Sequence, residues 1–498
     1  MTLIPCILFV RIQIGRSRRL PSISHHRPWV GATLAVALEE QETQMRHLKA
    51  YVPVISVFCL ALLVRIVYNV TVADSYTPIY DAALYNNLAH GILVEHCYCY
   101  TPHQPTVLRP PLWPLIIAAI YFFLGEHSAY VRFFCCLLGS GTCVLVYFLA
   151  KDLFGKRIAL ITGVIAAMYP GLFIWDGWLY TESLYTFCLT AFTFSLSRLQ
   201  RSILSVGLIA PKRLLTKFPP WRPWIESSGV FLGLAVLARP NGSTLVGLLC
   251  LWAVLVICAK MMPWQAAASS VLVIVLIATV INVPWIYRTY TVTHSFIPVS
   301  TLGQTLVGAY NDNILQNGIY GVAGMWAGAP NTFNADFHSY TWVNEKMDTA
   351  QALNWMRTHL SVMPYLLSLH LRNMWTPYIY AHGLPFEEFP DRLSSKIIWI
   401  MIPSMSIPIF LLATVGLLVT WKRRKKHLLV VYLVIALTIA ENVVIYGSPR
   451  FRAPIEPLLV LLAGGVLWWL LDHEPGTRLH FRFSNGVLRA SRRHQIPL

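Results

Sequence analysis

Seven charged side chains stand out in a chain that otherwise reads as apolar: Asp81, Arg109, Glu182, Arg239, Arg288, Arg450 and Arg452. A carboxylate at a partly desolvated surface can take a proton from a hydroxyl. A guanidinium, planar and always charged, grips phosphate oxygens in pairs. An acid among several arginines therefore suits chemistry between a phosphate and a hydroxyl. Taken singly, each residue also has a plainer role. Asp81 opens the segment YDAALYNNLAHG, where Tyr85, Leu88 and Ile92 follow at helical spacing, so it can be a helix N-cap. An arginine beside an apolar run can snorkel to the membrane interface. Arg239 is harder to dismiss, because Arg239-Pro240-Asn241-Gly242 interrupts an apolar stretch. Charge at the bilayer centre costs about 2.5 to 3.5 kcal/mol.

Whether the seven can meet depends on the elements that carry them. Hydrophobic residues make up 56% of the chain, charged residues only 12%, and mean hydropathy is +0.55, which is the composition of a polytopic membrane protein. The formal net charge of +17 would point to nucleic acid in a soluble chain. Here the cations are grouped instead. Arg198, Arg201, Lys212, Arg213, Lys217 and Arg222 share one linker, Lys422 to Lys426 form a block, and Arg478, Arg482, Arg489, Arg492 and Arg493 lie in the tail. Residues 74–107 carry no Lys or Arg. The positive-inside bias places that loop outside and the basic blocks inside, with no nucleic-acid partner implied.

One segment decides the parity. Residues 108–124 are apolar, but if they crossed the membrane both strongly basic loops would fall outside. Pro110, Pro111 and Pro114 break the start of the segment, so it is expected to be an interfacial or re-entrant helix. The fold class expected is an all-α bundle of about ten transmembrane helices with exterior surface helices. The spans fall near 51–73, 129–150, 158–176, 181–197, 225–238, 242–259, 265–285, 397–420, 428–446 and 454–471. The organisation that follows is a basic N-terminal segment at 1–50, a membrane module at 51–285 with an exterior loop at 74–128, an exterior region at 286–396, closing helices at 397–472 and a basic cytoplasmic tail at 473–498. Residues 342–375 are expected to be helical and to lie on the membrane surface, and 303–328, rich in Gly and Asn, to be loop. Met45 could equally be the start, with 1–44 an extension. In this topology all seven charged residues face outward, and that is the reason to treat them as one site.

Most of the ten cysteines lie in apolar runs and no CxxC pair occurs, so neither a disulfide scaffold nor a zinc site is indicated. Cys97 and Cys99 with His90, His96 and His103 could be drawn as a metal cluster, but the spacing fits ordinary loop residues better, and no metal or other cofactor is expected. No Walker A pattern or dinucleotide-binding glycine motif is present.

The order YDAALYNNLAHG, RPPLWP, FGKRIALITGVIAAMYPGLFIWDGWLYTESLY, LARPNG, NVPWIYRTYTVTHSFIPVSTLGQTL and RFRAPIEPLL resembles the multi-spanning glycosyltransferases of the GT-C fold. More narrowly it is similar to the group that joins dolichyl-phosphate-mannose protein mannosyltransferases with aminoarabinose lipid A transferases, glycosyltransferase family 39. The resemblance covers about residues 50 to 472. It implies a catalytic aspartate at Asp81, a second acid at Glu182, and a sugar donor carried on a polyprenyl phosphate. An Asp-Glu pair typical of protein mannosyltransferases is replaced here by Asp81-Ala82, and no MIR-like insertion fits between 287 and 396. The expected activity is inverting transfer to an acceptor hydroxyl on a lipid, glycan or protein at the outer face of a bacterial inner membrane. Asp81 would act as base, and Arg109, Arg239, Arg288, Arg450 and Arg452 would bind the donor phosphate. A lipid-linked glycan polymerase or ligase would want similar arginines, and a transporter would bind the same lipid without chemistry. The topology is checked by impermeant thiol labelling in a cysteine-free background: a cysteine at Asp336 should label in intact cells and one at Lys212 should not.

Overall fold

The computed structural model describes residues 51–71, 73–74, 76–207, 221–294, 302–316, 322–328, 342–377 and 392–472. The N-terminal segment, Lys212, Asp336 and the basic tail lie outside the described residues. Residues 1–53 separate as a unit of their own, and 54–498 form a second.

The first span, α1, is Tyr51–Thr71. It is followed by α2 (Tyr80–Val94), a small antiparallel hairpin of β1 (Cys99–Thr101) and β2 (Gln104–Pro105), and α3 (Leu112–Leu124). Then come α4 (Ser128–Phe154), α5 (Lys156–Met168), α6 (Pro170–Phe173), α7 (Glu182–Gly207), α8 (Arg222–Ala238), α9 (Thr244–Cys258) and α10 (Trp264–Thr293). The remainder is α11 (Leu302–Ala309), α12 (Trp342–Thr358), α13 (Met363–Trp375), α14 (Arg392–Val444), α15 (Pro449–Arg452) and α16 (Glu456–Asp472).

Among the described residues, seven helices are long and apolar enough to cross a membrane, or eight if the pair Lys156–Met168 and Pro170–Gly177, bent by 59°, is one span. The expected spans at 181–197 and 225–238 make the difference from ten. Helix α7, with 26 residues, is long enough at about 39 Å. It is not apolar enough, because Thr186, Thr190, Thr193, Ser195, Ser197 and Gln200 are buried along it. Protein rather than lipid covers that polar face. Helix α8 has 17 residues and ends at the Arg239–Gly242 break.

Helix α3 has 13 residues, about 20 Å, too short for a hydrocarbon core about 30 Å thick. Pro111 caps it and Pro114 lies in its first turn, as the cluster of prolines predicts. Its far end exposes Phe122 and Phe123, an anchor suited to an interface.

α14 is helical throughout its 53 residues, yet it cannot be one straight rod. Tyr432 Oη donates to Thr420 Oγ1 at 2.8 Å, and the rings of Trp421 and Tyr432 lie 5.4 Å apart. Twelve residues of straight helix would separate these positions by about 18 Å. The chain therefore reverses between the spans Ile400–Trp421 and His427–Val444, where the block of five cations lies in the sequence.

The stretch from 342 to 375 is two helices, α12 and α13, as expected. The loop reading of 303–328 fails at its start. Gly303 and Gly308 lie in α11, and a Cβ there would meet Glu345 O at 2.2 Å and Trp326 Nε1 at 1.9 Å. These glycines permit close packing rather than a turn. The same constraint acts in the membrane core, where a Cβ on Gly416 would meet Leu462 O of α16 at 2.0 Å. Gly416→Val should therefore lower stability by about 1 to 3 kcal/mol, the usual cost of overpacking, read as a lower unfolding temperature in detergent.

Candidate active site

Asp81 sits in the first turn of α2, whose N-cap is Ile79 and has no side-chain capping bond. The carboxylate is therefore not used as an N-cap. Tyr80 immediately before it has φ 50, a left-handed conformation that is uncommon for a bulky residue and recurs at functional sites. Asp81 Oδ1 accepts from Arg109 Nη2 at 2.9 Å, and Oδ2 pairs with Arg450 Nη1 at 2.8 Å.

Arg450 comes from α15, whose first turn is set by Pro449 and by Ser448 accepting from the Arg450 amide. Its guanidinium reaches a second carboxylate, with Nε 2.5 Å from Glu182 Oε1, and stacks over the Tyr180 ring at 4.3 Å. Arg239, at the break after α8, lies 3.3 Å from the same Glu182 oxygen and packs against the rings of Phe451 and Tyr185. Glu182 is fully buried, and its Oε2 has no partner among the described residues. Five of the seven residues thus form one chain of ion pairs: Arg109, Asp81, Arg450, Glu182, Arg239.

The other two do not join it. Arg288 donates to the carbonyls of Thr106 and Tyr98, and Arg452 pairs with Glu456 at 2.6 Å while donating to the carbonyls of Met374 and Thr376. The Arg288 fork points at backbone, and the Arg452 fork is shared between backbone and Glu456.

Burial acts unevenly on the groups around Asp81. Burial is the largest single influence on Arg109 and would lower its pKa, but the Asp81 charge and hydrogen bond together with Tyr100 and Tyr85 outweigh it, so the net shift is upward and Arg109 stays protonated. Burial raises the hydroxyls of Tyr85, Tyr100 and Tyr446 above the ordinary phenol range. These three can donate hydrogen bonds near neutral pH but cannot act as bases, so among the groups of this network only the carboxylates can take a proton.

Several residues of this region were not among the seven. In α1, Arg65 Nε bonds Asp176 Oδ2 at 2.7 Å, both being buried, and Ser183 Oγ donates to Asp176 Oδ1 at 2.6 Å. Tyr76 Oη accepts from Leu179 N, and Trp113 Nε1 donates to Leu179 O. Residues 176–183, which present Tyr180 and Glu182, are therefore tied at both ends and in the middle. Glu441 of α14 accepts from Asn241 Nδ2 at 3.3 Å and from Thr244 Oγ1, holding the Arg239 break. Gly242 is required there, because a Cβ would lie 2.4 Å from the Ala235 carbonyl carbon. Arg65, Asp176 and Glu441 all interrupt apolar sequence, a signal that marks them as unusual without naming their partners. Among the described residues no group of three or more His, Cys, Asp or Glu is placed to hold a metal.

The family model for dolichyl-phosphate-mannose-protein mannosyltransferase matches residues 48–298, half of the chain. The chain belongs to this family. No curated protein matches it. The archaeal oligosaccharyltransferase AglB from Archaeoglobus fulgidus, in complex with an inhibitory peptide and a dolichol-phosphate, is 13% identical with a TM-score of 0.52, over 85% of this chain and 52% of that one. The Archaeoglobus fulgidus oligosaccharyltransferase tethered to an acceptor peptide gives 13% identity and a TM-score of 0.51, over 84% and 50%. ArnT from Cupriavidus metallidurans bound to undecaprenyl phosphate is 13% identical with a TM-score of 0.42, over 82% and 76%. The chain spans about half the length of the oligosaccharyltransferases it matches. At this identity the likeness is one of fold, and the fold is the multi-pass helical GT-C bundle expected from the motifs.

The site yields a stability prediction. Glu182→Leu takes from Arg239 its carboxylate and leaves Arg450 with Asp81 alone, beside a buried apolar side chain, and breaking such a pair costs about 3 to 5 kcal/mol. Adding Arg239→Met should recover part of the loss. Thermal unfolding of the single and double variants reads both, and an unchanged midpoint for Glu182→Leu would show that Glu182 does not hold these arginines.

Proposed function

We propose that the chain transfers a sugar from a polyprenyl-phosphate donor to an acceptor hydroxyl of a lipid, glycan or protein, at the outer face of a bacterial inner membrane and with inversion. The observation that carries this reading is Asp81 held between Arg109 and Arg450 at 2.9 and 2.8 Å. A base is thereby placed within reach of the same cations that a phosphate would seek.

The charges of this set suit the reaction. Three guanidiniums against two carboxylates leave one net positive charge, matched by the single negative charge of a sugar phosphodiester. In the transfer, the acceptor oxygen forms a bond to the anomeric carbon as the bond from that carbon to the phosphate oxygen breaks. The electron pair goes to the phosphate, and the acceptor proton goes to Asp81. The phosphate gains one negative charge while Asp81 loses one, so the net positive charge of the surrounding set grows where the leaving group needs it. A phosphate leaving group needs no general acid. Donor binding would also draw Arg109 and Arg450 away from Asp81, which makes the carboxylate a better base once the donor is in place. Glu182 holds Arg239 and Arg450 for that task, and Arg452 would assist by tying the end of α15 to Glu456 and to the carbonyls of Met374 and Thr376.

Asp81→Asn keeps the size of the side chain and removes the base. It should lower transfer about 10² to 10⁴-fold with donor binding largely retained. Release of labelled polyprenyl phosphate from purified protein gives the rate. Turnover close to wild type in the Asn variant would remove Asp81 from the mechanism.

A further inference from the structure

The hairpin between α2 and α3 sits beside the site and is held by a residue from a distant span. Arg288, near the end of α10, donates through Nη1 to Thr106 O at 2.8 Å and through Nη2 to Tyr98 O at 3.2 Å. Those carbonyls flank the two strands, and the Thr106 amide itself donates to Tyr98 O at 3.0 Å. One planar fork therefore spans the open end of the hairpin. The guanidinium also lies over the Tyr98 ring at 5.0 Å and the Trp285 ring at 4.8 Å, and these two rings meet edge to face at 5.0 Å. Leu88 of α2 completes a small buried cluster with them.

Tyr98 carries the arrangement toward the site. Its hydroxyl donates to Arg109 O at 3.0 Å and to Pro110 O at 3.2 Å. Arg109 in turn reaches Asp81, and its Nε is buried with no partner among the described residues. Its bond to Asp81 is made through Nη2, so the position of the Arg109 backbone sets where the fork lies.

We infer that Arg288 is a positioning residue that acts through Tyr98 to fix the Arg109 backbone beside Asp81, within reach of both carboxylate and donor, rather than a contact to the donor phosphate. The chemistry favours this over direct binding. A phosphate that took the Arg288 fork would strip the Thr106 carbonyl of its donor and leave the Tyr98 carbonyl with the Thr106 amide alone, both in a part-buried setting. It would also pull the guanidinium away from the two aromatic rings it lies over, where a partly desolvated cation is well placed.

The kinetic test rests on the proposed sugar transfer, and a second measurement needs no activity. Arg288→Gln should lower turnover about 10- to 100-fold, the loss expected for charge-assisted bonds. Tyr98→Phe, which keeps the ring stack and removes only the hydroxyl, should lower it about 3- to 10-fold. Combining Arg288→Gln with Arg109→Gln should be no worse than Arg109→Gln alone, whereas combining Arg288→Gln with Arg239→Gln should multiply the two losses. In parallel, amide exchange in detergent should quicken across residues 98–110 in both Arg288→Gln and Tyr98→Phe, with the spans unchanged. Multiplying losses for Arg288 and Arg109, or wild-type exchange in the hairpin, would overturn the inference. Quickened exchange in a protein whose wild type releases no polyprenyl phosphate would leave the strut standing and remove the proposed transfer.

Discussion

A guanidinium held between two carboxylates from distant parts of the chain, Arg450 between Asp81 and Glu182, is the contact on which the arrangement of the site depends. It joins α2, the start of α7 and the entry to α16, three segments that no short-range contact brings together. Charges removed from water are costly unless paired and hydrogen-bonded. The three segments therefore have to arrive together, since any one absent leaves the others with unmatched charge. Arg109 and Arg239 extend the network at either end, so loss of its centre would be felt from the hairpin to the break after α8.

A network of this kind needs rigid supports, and they lie in the membrane core. The Arg65–Asp176 pair and the Ser183 bond fix residues 176–183 so that Glu182 and Tyr180 face Arg450. The close approach of α4 makes this possible, because a Cβ on Gly139 would lie 2.2 Å from Asp176 Oδ2. On the opposite side, Tyr169 Oη and Arg452 both bond the Glu456 carboxylate, which anchors α16 directly after the turn that carries Arg450. The polar residues of the core thus serve the orientation of the polar residues at its end.

How much of this was legible in the sequence differs by residue. Loop charge and span parity, global properties that a single chain displays, grouped all seven charged residues, and of these Asp81, Arg109, Glu182, Arg239 and Arg450 meet in one network. The short α3 was visible in its prolines. Arg65, Asp176 and Glu441 were hidden by their setting, since a lone charge inside an apolar run does not reveal whether it faces another run or the lipid. The loop reading of 303–328 failed because glycine supports both turns and close packing, and only the neighbours Glu345 and Trp326 decide between them. The fate of α7 was obscure for a related reason. Its serines and threonines lower its hydropathy, and their burial depends on partners far away in the sequence.

The arginines show a further limit, and with it a rule that applies within this fold. All five were grouped by side of the membrane, yet they divide by what occupies their donors. Arg109, Arg239 and Arg450 face carboxylates. Arg288 faces carbonyls, and Arg452 faces two carbonyls as well as Glu456. A phosphate can take the place of a carboxylate, because both offer two anionic oxygens at the spacing of the guanidinium fork. It cannot take the place of a backbone carbonyl without leaving that carbonyl unsatisfied, which costs about 1 to 3 kcal/mol where water is excluded. The exchangeable arginines are therefore those paired with Asp81 and Glu182, and the carbonyl-bound ones hold the frame against which that exchange takes place.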